Sequence, residues 1–259
     1  MLRITSWYGR LGNNITQLKN VLHIALYCNY NIEIPRHMFF KATKIIINKN
    51  YENNNNITDT EGVEFYYQNK LEKYKICFEK NHEKVKEILQ NIFKIDIRKI
   101  EKKEGLIIHI RSGDQMITTN PNPKYIMAPL SYYKKIIEEN NYKKIEIVCE
   151  DTLNPCVNEL LKIYPNINYN TNTLIDDIKI ILGAENIVST IGTFIPGLCW
   201  LSNNIKKVYI ASYDFTLKDN VYPINIKKAI IEMKEYKSKM VKWENSKEQK
   251  ELMLEYEFK

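Results

Sequence analysis

The stretch Leu106-Ile107-Ile108-His109-Ile110-Arg111-Ser112-Gly113-Asp114 decides the fold, because an apolar run ends abruptly in a polar His-x-Arg-x-Gly-Asp sequence. This pattern is typical of a buried parallel strand whose carboxyl end opens into a polar site. In open α/β sheets, ligands bind outside the carboxyl ends of the strands. The planar cation of Arg111 suits a diphosphate, since it donates two parallel hydrogen bonds and keeps its charge. The alternative is an Arg111–Asp114 pair that only stabilises a loop.

Downstream of this stretch, apolar runs and helical patterns alternate. The patterns predict strands at 106–111, 145–149, 167–169, 186–190 and 207–210, with helices at 130–140, 154–163, 174–184 and 194–203. Strands and helices that alternate at these lengths form a parallel sheet with right-handed crossovers. We therefore predict a Rossmann-like domain over residues 105–225.

The first part of the chain has the pattern of a second, smaller α/β domain. A strand at 1–6, a helix at 15–29 and a strand at 31–35 form one βαβ unit. Residues 48–62 are polar and predict a loop, and 83–93 predict a helix. We assign 1–104 to a reduced N-terminal Rossmann-like domain and 226–259 to a charged, amphipathic helical tail. The predicted fold class is α/β with two Rossmann-like domains and parallel sheets.

Composition narrows the possible ligands. The 259 residues carry 38 basic and 31 acidic side chains, a net charge of +7, which suits an anionic ligand such as a nucleotide diphosphate. No block of like charge and no nucleic-acid-binding motif is present, so we expect no nucleic-acid partner; a basic nucleic-acid binder is the weakest alternative. No apolar run approaches the length of a membrane span. The five cysteines, Cys28, Cys77, Cys149, Cys156 and Cys199, form no C-x-x-C pair and predict free thiols in the cytoplasm.

The N-terminal loop, Gly9-Arg10-Leu11-Gly12-Asn13-Asn14, precedes a predicted helix. Free backbone N–H groups and the helix dipole favour an anion there, and Asn13 can cap the helix while it contacts a ligand. Plain capping by Asn13 is the alternative. The chain has neither a G-x-G-x-x-G fingerprint nor a G-x-x-x-x-G-K-[ST] loop, which disfavours dinucleotide-binding and P-loop proteins.

Three further strand ends carry residues that can bind a ligand. Glu150-Asp151 ends one strand, Asp176-Asp177 opens a helix, and Ser189-Thr190-Ile191-Gly192-Thr193 connects a strand to a helix. The last is a good cradle for a diphosphate. Each has a structural alternative: helix capping for Glu150-Asp151, and a favourable helix-dipole interaction for Asp176-Asp177. No histidine or cysteine spacing matches a metal site, so we expect no metal.

The ordered set of three motifs resembles the α1,2-, α1,6- and protein O-fucosyltransferases, which share an H-x-R-x-G-D-like motif. The opening loop is similar to their G-R-x-G-N-Q loop, with Asn14 where the family usually has Gln. The resemblance covers the first 35 residues and about 105–210. It implies a GT-B-like fold of two Rossmann-like domains, an acceptor-side domain over 1–104 and a nucleotide-sugar-binding domain over 105–225. It also implies inversion at the anomeric carbon and no metal or other cofactor.

The resemblance also implies roles for individual residues. We expect Arg111, His109 and Asp114 to be the catalytic residues. Arg111 would pair with the β-phosphate of GDP-fucose, His109 would lie near the nucleotide, and Asp114 would hold the loop. Asp177 would bind the guanine base. The remaining donor-binding residues implied by the resemblance are Arg10, Gly12, Asn13, Glu150, Asp151, Thr190, Gly192 and Thr193.

These observations lead to a hypothesis and its alternatives. We expect an inverting, metal-independent glycosyltransferase that moves a sugar, fucose from GDP-fucose by resemblance, to a glycan hydroxyl. The partners are then a nucleotide-sugar donor and a glycan acceptor. One alternative is a non-catalytic module of the same fold that binds a nucleotide or a glycan. Another keeps the enzyme but uses a different nucleotide sugar.

Overall fold

The computed structural model describes residues 1–49, 58–60, 80–213 and 221–258. Contacts divide these residues into two compact units. Unit 1 comprises 1–99, 196–202 and 221–224, and unit 2 comprises 100–195, 203–213 and 225–258. The joining of 196–202 to unit 1 is not visible in the sequence pattern, which runs without a break from the preceding strand into that helix.

Unit 1 is a four-stranded sheet in the order β3-β2-β1-β4 with a long helix. Its strands are β1 (Leu2–Ile4), β2 (Ile32–Glu33), β3 (Lys44–Ile45) and β4 (Thr58–Thr60); its first two helices are α1 (Leu11–Cys28) and α2 (His82–Ile92). β1 pairs in parallel with β2 and β4, whereas β3 is antiparallel to β2. The predicted strand–helix–strand opening is confirmed. β4 falls inside the predicted 48–62 loop, which is wrong at those three residues.

Unit 2 is a six-stranded sheet in the order β10-β9-β8-β5-β6-β7, in which every pairing is parallel. Its strands are β5 (Lys103–His109), β6 (Ile145–Val148), β7 (Asn168–Tyr169), β8 (Ala184–Ser189), β9 (Lys207–Ser212) and β10 (Lys227–Glu232). β5 lies between β6 and β8, and Leu106 and Ile108 are fully buried there. This burial on both sides explains the continuous apolar run. The predicted α/β class is confirmed, and so is the parallel sheet of this unit; the sheet of unit 1 is mixed, since β3 is antiparallel.

Helices connect these strands as the pattern predicts. In chain order they are α3 (Asp114–Ile117), α4 (Leu130–Asn140), α5 (Pro155–Ile163), α6 (Leu174–Gly183), α7 (Phe194–Leu201), α8 (Lys234–Met240) and α9 (Lys247–Glu255). Apolar residues of α4 and α5 are buried in the main core of unit 2 together with Leu106 and Ile108. No helix in the described part of the chain is long and apolar enough to cross a membrane.

The predicted helical tail at 226–259 is wrong over its first residues, because β10 occupies 227–232. Ala229 and Ile231 pack against the core of unit 2, whereas Ile230 is 53% exposed. That alternation has the period of a strand, but it is short and flanked by lysines, so it also fits an amphipathic helix. Two helices, α8 and α9, follow the strand.

The cysteine prediction is tested at four of its five positions. Cys149, Cys156 and Cys199 are buried free thiols, and Cys28 is a half-buried free thiol. Cys77 lies outside the described residues.

Two glycines with positive φ allow a test of how closely the β5 backbone packs against its neighbour. Gly105 (φ +102°) lies so near β6 that an added Cβ would sit 2.2 Å from the Lys144 carbonyl oxygen, whereas Gly192 (φ +116°) has open space around it. The Gly192→Ala variant should therefore lose only about 1–3 kcal/mol of unfolding free energy, the cost of an alanine at this backbone angle. The Gly105→Ala variant should lose more unfolding free energy than this, measured by urea unfolding, because its Cβ collides with the Lys144 backbone. Equal losses for the two variants would contradict this account of β5.

Candidate functional site

The predicted site residues of unit 2 gather at the carboxyl edge of its sheet. β5 pairs in parallel with both β6 and β8, with His109 opposite Val148 and Ile108 opposite Val188. The loops that follow these three strands therefore leave the sheet at the same edge. They carry Arg111 to Asp114, Glu150 with Asp151, and Thr190 to Thr193.

Arg111 is held at both its backbone and its head group. Its Nη2 donates to Asp114 Oδ1 over 2.6 Å, and its carbonyl oxygen accepts from Asn154 Nδ2 over 2.9 Å. The guanidinium is 21% exposed, and its Nε is buried without a hydrogen-bond partner among the described residues. An anion bound at this edge would satisfy such a donor. The Arg111–Asp114 ion pair considered in the sequence analysis is therefore present. It stabilises the loop and also fixes the orientation of the Arg111 cation.

Asp151 shapes the loop that follows β5. Its Oδ1 accepts from the Ser112 hydroxyl and, over 3.0 Å, from the Leu153 N–H. The Ser112 Oγ in turn accepts from the Asn154 N–H over 3.1 Å. Ser112 and Asn154 are each 1% exposed, so the bond between them is shielded from water. The predicted donor-binding residue Asp151 therefore has a structural task in this loop.

Gly113 is needed where the loop meets Glu150. Its φ is +63°, and an added Cβ would lie 2.1 Å from Glu150 Oε2. Only glycine combines this backbone angle with so close an approach. Glu150 itself is exposed, so its carboxylate faces solvent beside the loop.

His109 is a neutral ring at the end of β5. Burial, together with the nearby cation of Arg111, lowers the pKa of His109 from 6.5 to about 3. Its Nδ1 lies 3.4 Å from Thr190 Oγ1, and its ring centroid lies 5.5 Å from that of Phe194. The β5 and β8 loops are thus in contact, and His109 can offer one donor and one acceptor without carrying charge.

Asp176 and Asp177 have different tasks in the first turn of α6. The Thr173 hydroxyl donates to Asp176 Oδ2 over 2.7 Å, and Thr173 Oγ1 accepts from the Asp176 N–H over 3.3 Å, so Asp176 serves the helix cap. Burial raises the pKa of Asp177. Burial, together with the charges of Asp151 and Asp177, raises the pKa of the Cys149 thiol to about 12. Asp177 therefore lies near the end of β6 with the other site residues.

The β8 loop from Thr190 to Thr193 leads directly into α7. Gly192 is exposed and has φ +116°, and no heavy atom would lie within 4 Å of a Cβ added there. The loop therefore presents open space at the point where a ligand would approach its backbone.

The predicted site residues Arg10, Gly12 and Asn13 belong to unit 1, where the structure corrects their setting. α1 begins at Leu11 rather than Ile15, its N-cap is Arg10, and no side chain caps it. The prediction that Asn13 caps the helix is therefore wrong. Asn13 lies in the first turn and folds back over Gly9, where an added Cβ would be 2.1 Å from Asn13 Nδ2.

Asn14 and Gln17 tie this N-terminal loop to its helix. Asn14 Nδ2 donates to the Tyr8 carbonyl oxygen over 2.9 Å, and Gln17 Oε1 accepts from the Tyr8 N–H over 2.8 Å. His37 Nε2 lies 3.2 Å from Asn14 Oδ1, which joins the loop to the segment after β2. The sequence showed Asn14 only as a departure from the family motif. In the structure, Asn14 organises the N-terminal loop.

Asn154 is the main residue of unit 2 that sequence reasoning missed. It caps α5, since its Oδ1 accepts from the Cys156 N–H over 3.0 Å, and it also binds the Arg111 carbonyl oxygen. The Asn154-Pro155 dipeptide is a sequence signal for a helix start. Nothing in the sequence shows that the same amide reaches across to the β5 loop.

In the described part of the chain, no group of three or more His, Cys, Asp or Glu side chains is arranged to hold a metal ion. The predicted site residues of unit 2 offer one guanidinium, loop backbone, an imidazole, hydroxyls and carboxylates.

Comparison with known proteins gives similarity in fold alone. No known protein family and no curated protein matches the chain. POFUT1 in complex with GDP is 11% identical over 89% of this chain and 97% of that chain, with a TM-score of 0.46. E. coli heptosyltransferase WaaC with ADP is 7% identical over 90% and 93%, with a TM-score of 0.45. E. coli ADP-heptose LPS heptosyltransferase II is 15% identical over 50% of this chain and only 39% of its own length, with a TM-score of 0.34. TM-scores this low carry no functional argument.

The neutral state of His109 predicts a pH dependence of stability. The unfolded chain binds a proton at this ring below about pH 6.5, whereas the folded ring does so only near a pKa of about 3. Stability from this group is therefore present above pH 6.5 and is lost as the pH falls toward 3. When the pH is lowered from neutral to about 5, the wild type should lose unfolding free energy through this ring. The His109→Gln variant lacks the ring, so its loss over the same range should be smaller by about 1–2 kcal/mol. Parallel pH profiles for the two proteins would show that His109 is not held neutral.

Proposed function

We propose that this protein is an inverting, metal-independent glycosyltransferase, and that its donor is a nucleoside diphosphate sugar, GDP-fucose in the first instance. The observation that carries the proposal is Arg111. Its guanidinium stands at the carboxyl edge of a parallel sheet, its backbone and head group are fixed by Asn154 and Asp114, and its Nε is buried with an unmet hydrogen bond among the described residues.

The negative charge of a diphosphate matches the positive charge of the Arg111 guanidinium. A bidentate guanidinium matches two phosphate oxygens and remains charged at any pH at which the protein is folded. The open Gly192 backbone, with Thr190 and Thr193 on either side, offers further donors to the phosphates. Because these donors are already in place, they would stabilise the charge that develops on the leaving diphosphate.

The carboxylates suit the nucleoside. Guanine presents an N1–H and an exocyclic amine, and a carboxylate accepts both. Asp177 is the best candidate for this contact, since Asp176 is engaged in the helix cap. Glu150 is exposed beside Gly113 and can accept from ribose hydroxyls.

The reaction we infer is a single displacement. The acceptor hydroxyl oxygen attacks C1 of the donor sugar, the C1–O bond to the diphosphate breaks, and the hydroxyl proton leaves to solvent or a base. The electron pair of the broken bond stays on the diphosphate, whose charge Arg111 and the loop N–H groups neutralise. The acceptor in this proposal is a glycan hydroxyl.

Two alternatives keep the same fold. A binding module would retain GDP without transferring sugar to any acceptor. A glycosyltransferase for another nucleotide sugar would prefer a different base. Steeply salt-dependent binding to DNA or RNA would instead favour a nucleic-acid binder.

Thermal unfolding with GDP, UDP, ADP and CMP, each with and without chelator, tests the donor. A ligand that binds only the folded state raises the Tm. We expect a shift with GDP that chelator does not change. Arg111→Ala should weaken GDP binding about 10- to 100-fold and slow sugar transfer by about 10²–10³ or more, because charged hydrogen bonds to the β-phosphate are lost.

Arg98→Ala is the matched control, since Arg98 is 87% exposed and pairs with nearby Asp96. It should leave binding and transfer unchanged. Near-normal transfer by the Arg111→Ala variant would overturn the site assignment, and a shift with UDP alone would overturn the donor.

Base selectivity tests Asp177 separately. Asp177→Asn removes the charge that accepts from guanine, so GDP affinity should fall about 10- to 100-fold while weak UDP binding stays the same. Asp176→Asn changes the neighbouring residue and should cost some stability, through the cap of α6, without changing GDP affinity. Isothermal titration of both variants measures this. If the two variants bound GDP equally well, Asp177 would not be the base-binding residue.

A further inference from the structure

We propose that the segment Trp243–Asn245, here called the C-terminal clasp, belongs to the diphosphate site, and that Trp243 and Asn245 are positioning residues for Arg111. This inference rests on the proposed function. It assigns a role to the segment between α8 and α9, which the sequence pattern presents as part of a solvated helical tail.

Trp243 anchors the clasp under the β5 loop. The residue is 1% exposed, and its indole Nε1 donates to the Gln115 carbonyl oxygen over 3.2 Å. Its backbone N–H donates to the Pro123 carbonyl oxygen over 2.9 Å. A buried indole N–H needs such a partner, so the ring and α3 are fixed to each other.

Asn245 holds the carboxyl end of α3. Its Nδ2 donates to the Met116 and Thr118 carbonyl oxygens over 3.0 and 3.2 Å. Its own backbone is left-handed, with φ +59°, which asparagine tolerates better than most residues. The last carbonyl groups of a helix have no partner inside it, so one side chain here satisfies two of them.

α3 needs this support because it is a single turn. It has four residues, and a helix this short is not stable by its own hydrogen bonds. It nevertheless begins at Asp114, the residue that holds the Arg111 guanidinium. Gln115 adds a second connection, since its Nε2 donates to Asp114 Oδ2 over 3.3 Å. A shift of α3 would therefore move the carboxylate that orients Arg111.

The clasp is itself fixed from the other side. Gln249, in the first turn of α9, accepts from the Glu244 N–H over 2.8 Å and donates to the Lys242 carbonyl oxygen. It also completes a capping box with Ser246. α9 is anchored by Met253, which is fully buried in the core of unit 2. The path from the core through α9, the clasp and α3 to Arg111 is continuous.

The experiment compares GDP and GMP binding by isothermal titration. Asn245→Gly keeps the left-handed backbone and removes the amide, and Asn141→Gly makes the same change at another left-handed asparagine, the C-cap of α4. We expect Asn245→Gly to weaken GDP binding about tenfold, through loss of Arg111 orientation, and to leave GMP binding within about twofold. Asn141→Gly should change neither. Because Asn245 acts through Arg111, adding Asn245→Gly to Arg111→Ala should cause no further loss.

A second pair covers the case in which Asn245→Gly does not fold. Trp243→Phe removes the indole donor to Gln115 together with the volume of one ring. Trp200→Phe makes the same change in unit 1, where the donor bonds the Val221 carbonyl oxygen. Of these two variants, only Trp243→Phe should weaken GDP binding more than GMP binding.

Wild-type GDP affinity in either clasp variant would overturn the inference. So would equal weakening of GDP and GMP, or full additivity with Arg111→Ala, since both indicate a general structural role. Failure of the wild-type protein to bind GDP would instead overturn the proposed function and, with it, the role assigned to the clasp.

Discussion

Asn154 and Asp151 fix the path of the chain from Arg111 to Gly113, and the site in unit 2 depends on that constraint. The two residues follow β6, yet their side chains bind the loop that follows β5. A polar loop next to a buried parallel strand would otherwise leave backbone groups without partners. Because the neighbouring strand end satisfies them, Arg111 has a fixed position before any ligand arrives. In our proposal, no reorganisation is then needed when charge develops on the leaving diphosphate.

Hydrogen bonds from the protein reach four carboxylates around the site. Asp114, Asp151 and Asp176 accept hydrogen bonds that shape Arg111, the β5 loop and the α6 cap. Asp177 has a hydrogen bond with the Asn172 side chain. In our proposal, Glu150 and Asp177 contact the nucleoside while Arg111 contacts the diphosphate.

Much of unit 2 could be predicted from the sequence, because strands buried on both faces are continuous apolar runs and the helices between them carry a clear period. The predicted α4 matches the structure residue for residue. β10 was missed because its six residues at the sheet edge alternate weakly. Asn154, Trp243 and Asn245 were missed because their partners lie more than 40 residues away in sequence, and single-sequence patterns report local periodicity but not distant contacts.

A crystal structure of the protein with GDP tests the central claim most directly. The account predicts that the nucleotide binds at the carboxyl edge of the unit 2 sheet, with a β-phosphate oxygen within hydrogen-bond distance of the Arg111 guanidinium and the base beside Asp177. Nucleotide bound at another surface, or with its phosphates away from Arg111, would contradict the account.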